Sequence, residues 1–284
     1  MKIIHLSDLH TGHTDDDADY GGTKSLIERF SKIADNIITK FGSVASEYTI
    51  LITGDIFDAP PIAYGSVLTI FNKLKNFGFN VLMVPGNHDF LAYDGHNNAI
   101  IDLIHDVESR LTMKRTLQNF NQNFYGNKNY IYADKNNLQI INNVCFIGLN
   151  SMEGQIKPIG ELAARGKLGQ AQLNRLKAIL NLDAIKDKYK VVFLHHHPFA
   201  YSEERIDANL ADVDELGAIV NGKIDALLFG HAHLKGIPST QWPSWNIPRC
   251  YDAGSSTHKD GDKALFRIMD LSQPPSSDLI DNFL

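Results

Sequence analysis

The chain has 284 residues, with 33 acidic and 27 basic side chains, a formal net charge of -6 and 43% hydrophobic residues. That length supports one large domain with a sizeable core. The charge argues against a nucleic-acid binder that works mainly through bulk electrostatics, and no window is apolar for long enough to cross a bilayer. Only two cysteines occur, Cys145 and Cys250, each in an apolar strand-like run; this fits buried, reduced thiols and a cytoplasmic protein. The compositional outlier is histidine, with twelve copies gathered in a few polar turns.

Lys2 to Leu6 reads as a short buried strand that ends at Ser7-Asp8-Leu9-His10, and the i, i+2 spacing puts Asp8 and His10 on one side. The following acidic stretch fails as a calcium loop. Counted from Asp15, Tyr20 stands where glycine is needed and Leu26 where glutamate is needed. A helix is predicted from Thr23 to Phe41, where Leu26, Phe30, Ile33, Ala34 and Ile37 recur at helical spacing. Tyr48 to Thr53 is a second buried strand ending at Gly54-Asp55-Ile56-Phe57-Asp58, and after the Pro60-Pro61 turn a helix runs from Ile62 to Lys75. Phe79 to Val84 is a third strand, ending at Pro85-Gly86-Asn87-His88-Asp89. Strands alternating with helices predict a parallel, doubly wound sheet with right-handed crossovers.

Ala99 to Val107 is expected to be helical, and the stretch 110–130 combines Arg110, Lys114, Arg115 and Lys128 with Phe120, Phe124, Tyr125 and Tyr130. Two readings of it stand: a surface for a nucleotide or phosphate chain, and a cap-like insertion that packs its aromatics onto the body, which is preferred. Leu138 to Asn142 and Val144 to Leu149 read as a hairpin opening a second sheet. A polar loop over 150–168 leads to an amphipathic helix, Leu168 to Leu182. The strand Lys190 to Leu194 runs into His195-His196-His197-Pro198, and a short helix spans Val213 to Val220. The strand Ile224 to Phe229 runs into Gly230-His231-Ala232-His233, and Arg249 to Ala253 and Ala264 to Leu271 close the fold. Without repeats or a linker, residues 1–271 read as a single domain, followed by a loosely held tail at 272–284.

Five apolar runs therefore stop at metal-ligating side chains: Asp8 and His10; Asp55; Asn87 and His88; the histidines 195–197; His231 and His233. Oxygen and imidazole donors without thiolate suit Mn, Fe, Zn or Co. The donors are too many for one four-coordinate ion and fit two ions sharing a carboxylate. Such a pair makes a bridging hydroxide available near neutral pH and neutralises phosphoryl charge, while a histidine outside the metal shell can protonate the leaving group. That chemistry is phosphoester hydrolysis.

Asp-x-His (8–10), Gly-Asp-x-x-Asp (54–58), Gly-Asn-His-Asp (86–89), His-His-Pro (196–198) and Gly-His-x-His (230–233) stand in the order of the calcineurin-like metallophosphoesterase superfamily, which the chain resembles over most of its length. The resemblance implies a four-layer α/β/β/α sandwich, two mixed sheets flanked by helices, with a dinuclear site at one edge. It implies that Asp8, His10 and His233 hold the first metal, that Asp55 bridges, and that Asn87, His231 and one histidine of the run hold the second. His196 is taken as that histidine, because the family ligand precedes proline by two positions; His195 is the alternative. His88 resembles the general acid, with Asp58 or Asp89 orienting it, although Asp58 also reads as a local cap on the following turn.

Within the superfamily the chain is most similar to the class III cyclic-nucleotide phosphodiesterase group. The similarity rests on the His-His-His-Pro run, Leu149-Asn150-Ser151, and Ala164-Arg165-Gly166 through Gln172-Leu173. It departs from that group in the acidic loop, the 110–130 stretch and the segment Gln241 to Trp245. The expected function is hydrolysis of phosphodiesters of nucleotide type, with two Mn, Fe or Zn ions as cofactors and a small-molecule phosphoester as the partner. A phosphomonoesterase or nuclease of the same superfamily is the alternative enzyme, and a catalytically silent scaffold is the alternative outside enzymes. No membrane or nucleic-acid partner is expected, and a homodimer is the one assembly entertained.

Overall fold

The structure, a computed structural model, describes residues 1–12, 25–58, 64–90, 106–154, 165–199, 210–233, 245–257, 265–275 and 279–283. The strands β1 (Lys2–Leu6), β2 (Tyr48–Thr53), β3 (Asn80–Val84), β9 (Leu265–Asp270) and β10 (Leu279–Phe283) form one sheet in the order β10-β9-β1-β2-β3. The second sheet has the order β4-β5-β6-β7-β8, from β4 (Gln139–Ile141), β5 (Val144–Gly148), β6 (Tyr189–Phe193), β7 (Ala226–Phe229) and β8 (Arg249–Asp252). Strands β1 to β3 run parallel, as do β5 to β8, while β9, β10 and β4 pair antiparallel at the margins. Two mixed sheets therefore lie face to face.

Side-chain alternation along the strands explains the layering. Ile4, Leu6, Ile50, Ile52 and Met83 join one apolar cluster with Phe30, Ile33 and Ile37 of α1 (Leu26–Phe41) and Phe71 and Leu74 of α2 (Tyr64–Asn76). Cys145, Ile147, Val192, Leu227 and Phe229 join another with Leu173 and Leu176 of α4 (Gln170–Leu180) and Leu216 and Val220 of α5 (Val213–Val220). The intervening residues, Ile3, Leu51, Leu82 and Val84 from the first sheet and Phe146, Val191, Phe193 and Leu228 from the second, meet between the sheets. A period of two thus sends alternate side chains to opposite faces, giving helices, sheet, sheet, helices.

The aromatics of 110–130 pack onto the body, as the preferred reading has it, and the expectation for the tail changes. The stretch 110–130 is mostly helix α3 (Asp106–Tyr125), and its aromatics point into the protein. Phe120 and Phe124 pack in the first cluster against Phe71, Phe57 and Tyr64, and the Tyr125 hydroxyl donates to the Met83 carbonyl. Those rings are core, and they are not available to stack on a nucleotide. The tail is also not simply loose: Leu279–Phe283 is an edge strand, paired with β9 from Leu279 opposite Met269 to Phe283 opposite Leu265. The helix expected over Ala99–Val107 lies almost entirely outside the described residues, as do the acidic stretch 14–19 and residues 241–244. Cys145 and Cys250 are free and buried. No helix among the described residues is long and apolar enough to cross a membrane.

Candidate active site

The carboxyl ends of β1, β2, β3, β6 and β7 meet at one edge of the sandwich, where open α/β folds bind ligands. Asp8 (φ 52°), His10 (φ 44°), Asp55 (φ 50°), His231 (φ 73°) and His233 (φ 54°) all have left-handed backbones. Each such non-glycine residue costs about 1–3 kcal/mol. A run of them at one locus means that the surrounding fold over-determines where these side chains point.

Two groups of donors converge. In the first, Asp8 Oδ1 lies 3.3 Å from His233 Nε2, and His233 Nε2 lies 3.3 Å from His10 Nε2. In the second, His195 Nε2 lies 3.1 Å from Asp55 Oδ2, 3.1 Å from Asn87 Oδ1 and 3.1 Å from His231 Nδ1. Asp55 faces both, since its Oδ2 is also 4.0 Å from His10 Nε2. Asp8 and Asp55 are fully or almost fully buried. Buried carboxylates and imidazoles at these separations are what one ion with ligand bonds of about 2.0–2.1 Å gathers around itself. Asp8 Oδ1 accepts no hydrogen bond among the described residues, an orphan that a cation would satisfy. His195 adds a further fit: its Nδ1 donates to the Thr53 carbonyl at 2.7 Å, which fixes the tautomer that leaves Nε2 as a ligand. The residues present therefore fit two metal ions, Asp8, His10 and His233 around one point and Asp55, Asn87, His195 and His231 around the other.

Three glycines let these groups approach. A Cβ on Gly86 would stand 2.1 Å from Asp55 Oδ1, one on Gly54 2.6 Å from His195 Nδ1, and one on Gly230 1.9 Å from Ser7 Oγ. Gly54 also has φ +93°. None of these positions admits a side chain without displacing a site residue.

Burial opposes charge on Asp8, Asp55, His195 and His231, and their charged neighbours decide the outcome. His233 outweighs burial and holds the Asp8 carboxyl below its ordinary range. His195 and His88 do the same for Asp55. His195 is in turn held up to about 9 by Asp55, against its own burial. Burial and the neighbouring His195 push His231 down to about 3.

His88 sits beside both groups with 27% of its side chain exposed. Its Nδ1 donates to the Asp58 carbonyl at 2.9 Å and lies 3.3 Å from Asp58 Oδ1, and its ring meets His10 edge-on at 4.8 Å. Against partial burial, Asp55 and the Asp58 hydrogen bonds raise His88 to about 10, so the ring is protonated at neutral pH. His10, Asp55 and His88 also lie close enough to form a third donor set, but in it the His88 Nδ1 is engaged by Asp58.

Two expected site residues make other contacts, although the His196 ring lies 4.5 Å from that of His231 and its buried Nε2 has no hydrogen-bond partner among the described residues. His196, expected as the ligand from the run, exchanges hydrogen bonds with Ser151: its backbone N–H donates to Ser151 Oγ at 3.3 Å, and its Nδ1 lies 2.7 Å from the same oxygen. Gly166 packs on its ring so closely that a Cβ there would be 2.4 Å away. The reason is strand parity. The β6 ladder continues past Phe193, with Gly230 N–H donating to the His195 carbonyl at 3.0 Å. His195 therefore follows Val191 and Phe193 onto the inter-sheet side, and His196 follows Val192 and Leu194 toward the helices. His197 turns its Nε2 toward Asp252 Oδ2, 3.9 Å away.

Asp89, expected as an orienting partner of His88, instead caps backbone. Its Oδ1 accepts from Phe57 N–H at 2.9 Å and its Oδ2 from Gly86 N–H at 2.8 Å, so Asp58 alone of the two touches His88. The sequence reading also passed over Ser255 and Thr257, which follow β8 and bond the Asp8 turn. They end a buried strand in a polar run, the same signal that marked the other five.

The Metallophos family model, described as calcineurin-like phosphoesterase, matches residues 1–235. No curated protein matches the chain. A dimetal phosphatase from Danio rerio superimposes with a TM-score of 0.59 at 15% identity, covering 94% of this chain and 91% of that one. An archaeal phosphodiesterase superimposes with a TM-score of 0.42 at 13% identity over the whole of both chains. The sandwich is thus a known fold, and the family match spans every one of the convergent donors. The chain belongs to the calcineurin-like phosphoesterase family.

Proposed function

We propose that this chain is a phosphodiesterase that works with two transition-metal ions, Mn, Fe or Zn, on small phosphodiesters of nucleotide type. The observation that carries the reading is the pairing of the two donor groups through Asp55 with a protonated, solvent-facing His88 beside them. Asp8, His10 and His233 hold the first ion; Asn87, His195 and His231 hold the second; Asp55 serves both. Bound there, such ions activate water and neutralise phosphoryl charge.

The chain's own groups supply the rest. Asp58 takes the Nδ1 proton of His88 as a hydrogen bond, so the ring presents Nε2 to solvent and substrate. From that nitrogen His88 gives its proton to the alkoxide leaving group. The return of the proton to His88 is favoured by its hydrogen bond to Asp58.

The preference for a diester rests on three sequence signals that the fold joins into one unit. Asn150 and Gln172 exchange backbone–side-chain hydrogen bonds, Asn150 N–H to Gln172 Oε1 at 2.9 Å and Gln172 Nε2–H to Asn150 O at 2.9 Å. Ser151 holds His196, and Gly166 covers it. The Leu-Asn-Ser turn, Gly166, Gln172 and the histidine run thus support one another beside the second donor group, and it is their sequence motifs that support the class III cyclic-nucleotide phosphodiesterase reading. These residues act there as scaffold for the run.

The test is hydrolysis of bis(p-nitrophenyl) phosphate against p-nitrophenyl phosphate by metal-stripped protein with added manganese. Manganese-dependent cleavage mainly of the diester is the expected result, followed by cleavage of cyclic or linear nucleotide diesters. A clear preference for the monoester makes the chain a phosphatase and overturns the diester reading.

A further inference from the structure

The turn that carries Asp8 and His10 is left-handed at both residues and has no glycine to relieve it. From one side it is held by the end of β2. Asp8 N–H donates to Gly54 O at 3.1 Å, Leu9 and His10 N–H to Asp55 O at 2.7 and 3.0 Å, and Thr11 N–H to Ile56 O at 3.0 Å. From the other side it is held by the loop after β8. Ser255 Oγ donates to Asp8 O at 2.8 Å, and the Thr257 hydroxyl lies 3.2 Å from Asp8 O and 2.9 Å from Leu9 O. Between them, Ser256 N–H donates to Ser7 O at 2.9 Å, while Ser256 Oγ accepts from Ser7 N–H at 3.1 Å. The loop is anchored in turn by Arg29 of α1, whose Nη1 donates to Thr257 O at 2.9 Å.

All three hydroxyl residues are buried. In a buried turn the carbonyls of Asp8 and Leu9 have no water to accept from, so the Ser255 and Thr257 hydroxyls fix the Asp8–Leu9 and Leu9–His10 peptide planes, while Ser256 N–H fixes the Ser7–Asp8 plane. The peptide planes fix the direction of the Asp8 carboxylate, which is the oxygen donor of the first group. The bonds from the loop after β8 fall on residues 7–9; the turn meets the second group only through Leu9 and His10 N–H on Asp55 O and through Asp8 Oδ2, which accepts from His231 N–H at 3.1 Å.

We infer that Ser255 and Thr257 are positioning residues that set the first metal site without setting the second, so that the loop after β8 governs whether the centre holds one ion or two. The inference rests on the two-metal reading proposed above. Partners that orient metal ligands are worth about 10- to 100-fold in metal affinity.

The experiment is manganese titration of metal-stripped protein by calorimetry, with the spin-coupled two-manganese signal read by electron paramagnetic resonance. It compares wild type, Ser255→Ala/Thr257→Val, Thr257→Ser and His195→Ala, with circular dichroism as the check of folding. The expected result is two equivalents in wild type, and in the double variant one equivalent of unchanged affinity with the other weakened by about 10-fold or more. The coupled signal is then lost, and Thr257→Ser, which keeps the hydroxyl, binds as wild type does. The equivalent weakened in the double variant differs from the one lost in His195→Ala, so combining the three substitutions abolishes tight binding. Should the double variant fail to fold, Ser255→Ala alone is read against the same expectation. Equal weakening of both equivalents, or of neither, in a folded variant overturns the inference and leaves the two-metal reading intact. A wild type that binds no manganese overturns the two-metal reading itself and this inference with it.

Discussion

Asp8, His10 and Asp55 leave the first sheet through left-handed turns stitched to one another by backbone hydrogen bonds, whereas His195 leaves the second sheet on the unbroken alternation of β6. In the first sheet the fold bends the chain to bring each donor into place, and local strain is held by neighbouring loops. In the second, a strand delivers the donor by parity, and one hydrogen bond from Nδ1 to Thr53 O sets its orientation. The lesson is that one metal-binding edge uses two devices, left-handed turns after β1, β2 and β7 and unbroken strand parity after β6, and that Asp55, near donors of both groups, joins them.

The largest expected effect comes from breaking that joint. Asp55→Asn removes the carboxylate charge that both groups share and that holds His195 and His88 charged. Turnover of the diester falls by roughly 10³-fold or more, and metal analysis finds both equivalents weakened. Retention of two tightly bound ions would place Asp55 outside the shared position.

Next is His88→Ala, which leaves both donor groups intact. General acid catalysis is worth roughly 10²–10⁴-fold, and the loss falls on esters with alkyl leaving groups, while activated aryl esters need little proton donation. Metal content stays at the wild-type level. Equal losses on alkyl and aryl esters would remove the proton-donor role from His88.

The donor delivered by strand parity, His195, has a pH signature. The folded pKa of His195, about 9, lies above its ordinary 6.5. Its protonation therefore stabilises the metal-stripped protein fully below pH 6.5, and that contribution is lost as pH rises through 9. A metal ion at Nε2 competes with the same proton. Manganese affinity for the second group should rise by about tenfold per pH unit across that window, with proton release seen calorimetrically in buffers of different ionisation enthalpy. A flat affinity would mean that His195 is not the competing ligand.

The smallest effect is expected on α3. Lys114 and Arg115 are exposed on a helix whose aromatics are core. Lys114→Ala/Arg115→Ala should leave turnover within about twofold, as surface substitutions do. A rise in KM without change in kcat would restore a substrate-contacting role to this stretch.

Much of this was legible in the sequence because strands β1, β2, β3, β6 and β7 are continuous apolar runs that end abruptly in donors. Single donors flanked by glycine, such as Asp55 after Gly54 and Asn87 after Gly86, left only one residue to choose at each strand end. The histidine run did not, because distance to Pro198 counts residues and carries no direction. Counting by two from Val191 would have selected His195. Asp89 was misread for a related reason: adjacency to His88 in sequence says nothing about which backbone N–H groups its carboxylate meets after the loop folds. The edge strand β10 was hidden by Pro274-Pro275 just before it and by the weak apolar pattern of Leu279–Phe283, which depends on β9 for its pairing. The hydroxyls at 255–257 stand at a buried strand end like the other five, but they were missed because serine and threonine bind carbonyls here and were not sought as metal donors.

The central claim is that two donor groups at this edge each hold a metal ion, with His195 and not His196 completing the second. Metal content of purified wild type, His195→Ala and His196→Ala, measured by plasma mass spectrometry alongside thermal melting, tests it most directly. The account predicts about two ions per chain in wild type and in His196→Ala, the latter destabilised by about 1–3 kcal/mol through the lost Ser151 contact and packing, and about one ion in His195→Ala. Loss of an ion from His196→Ala with two retained in His195→Ala would contradict it.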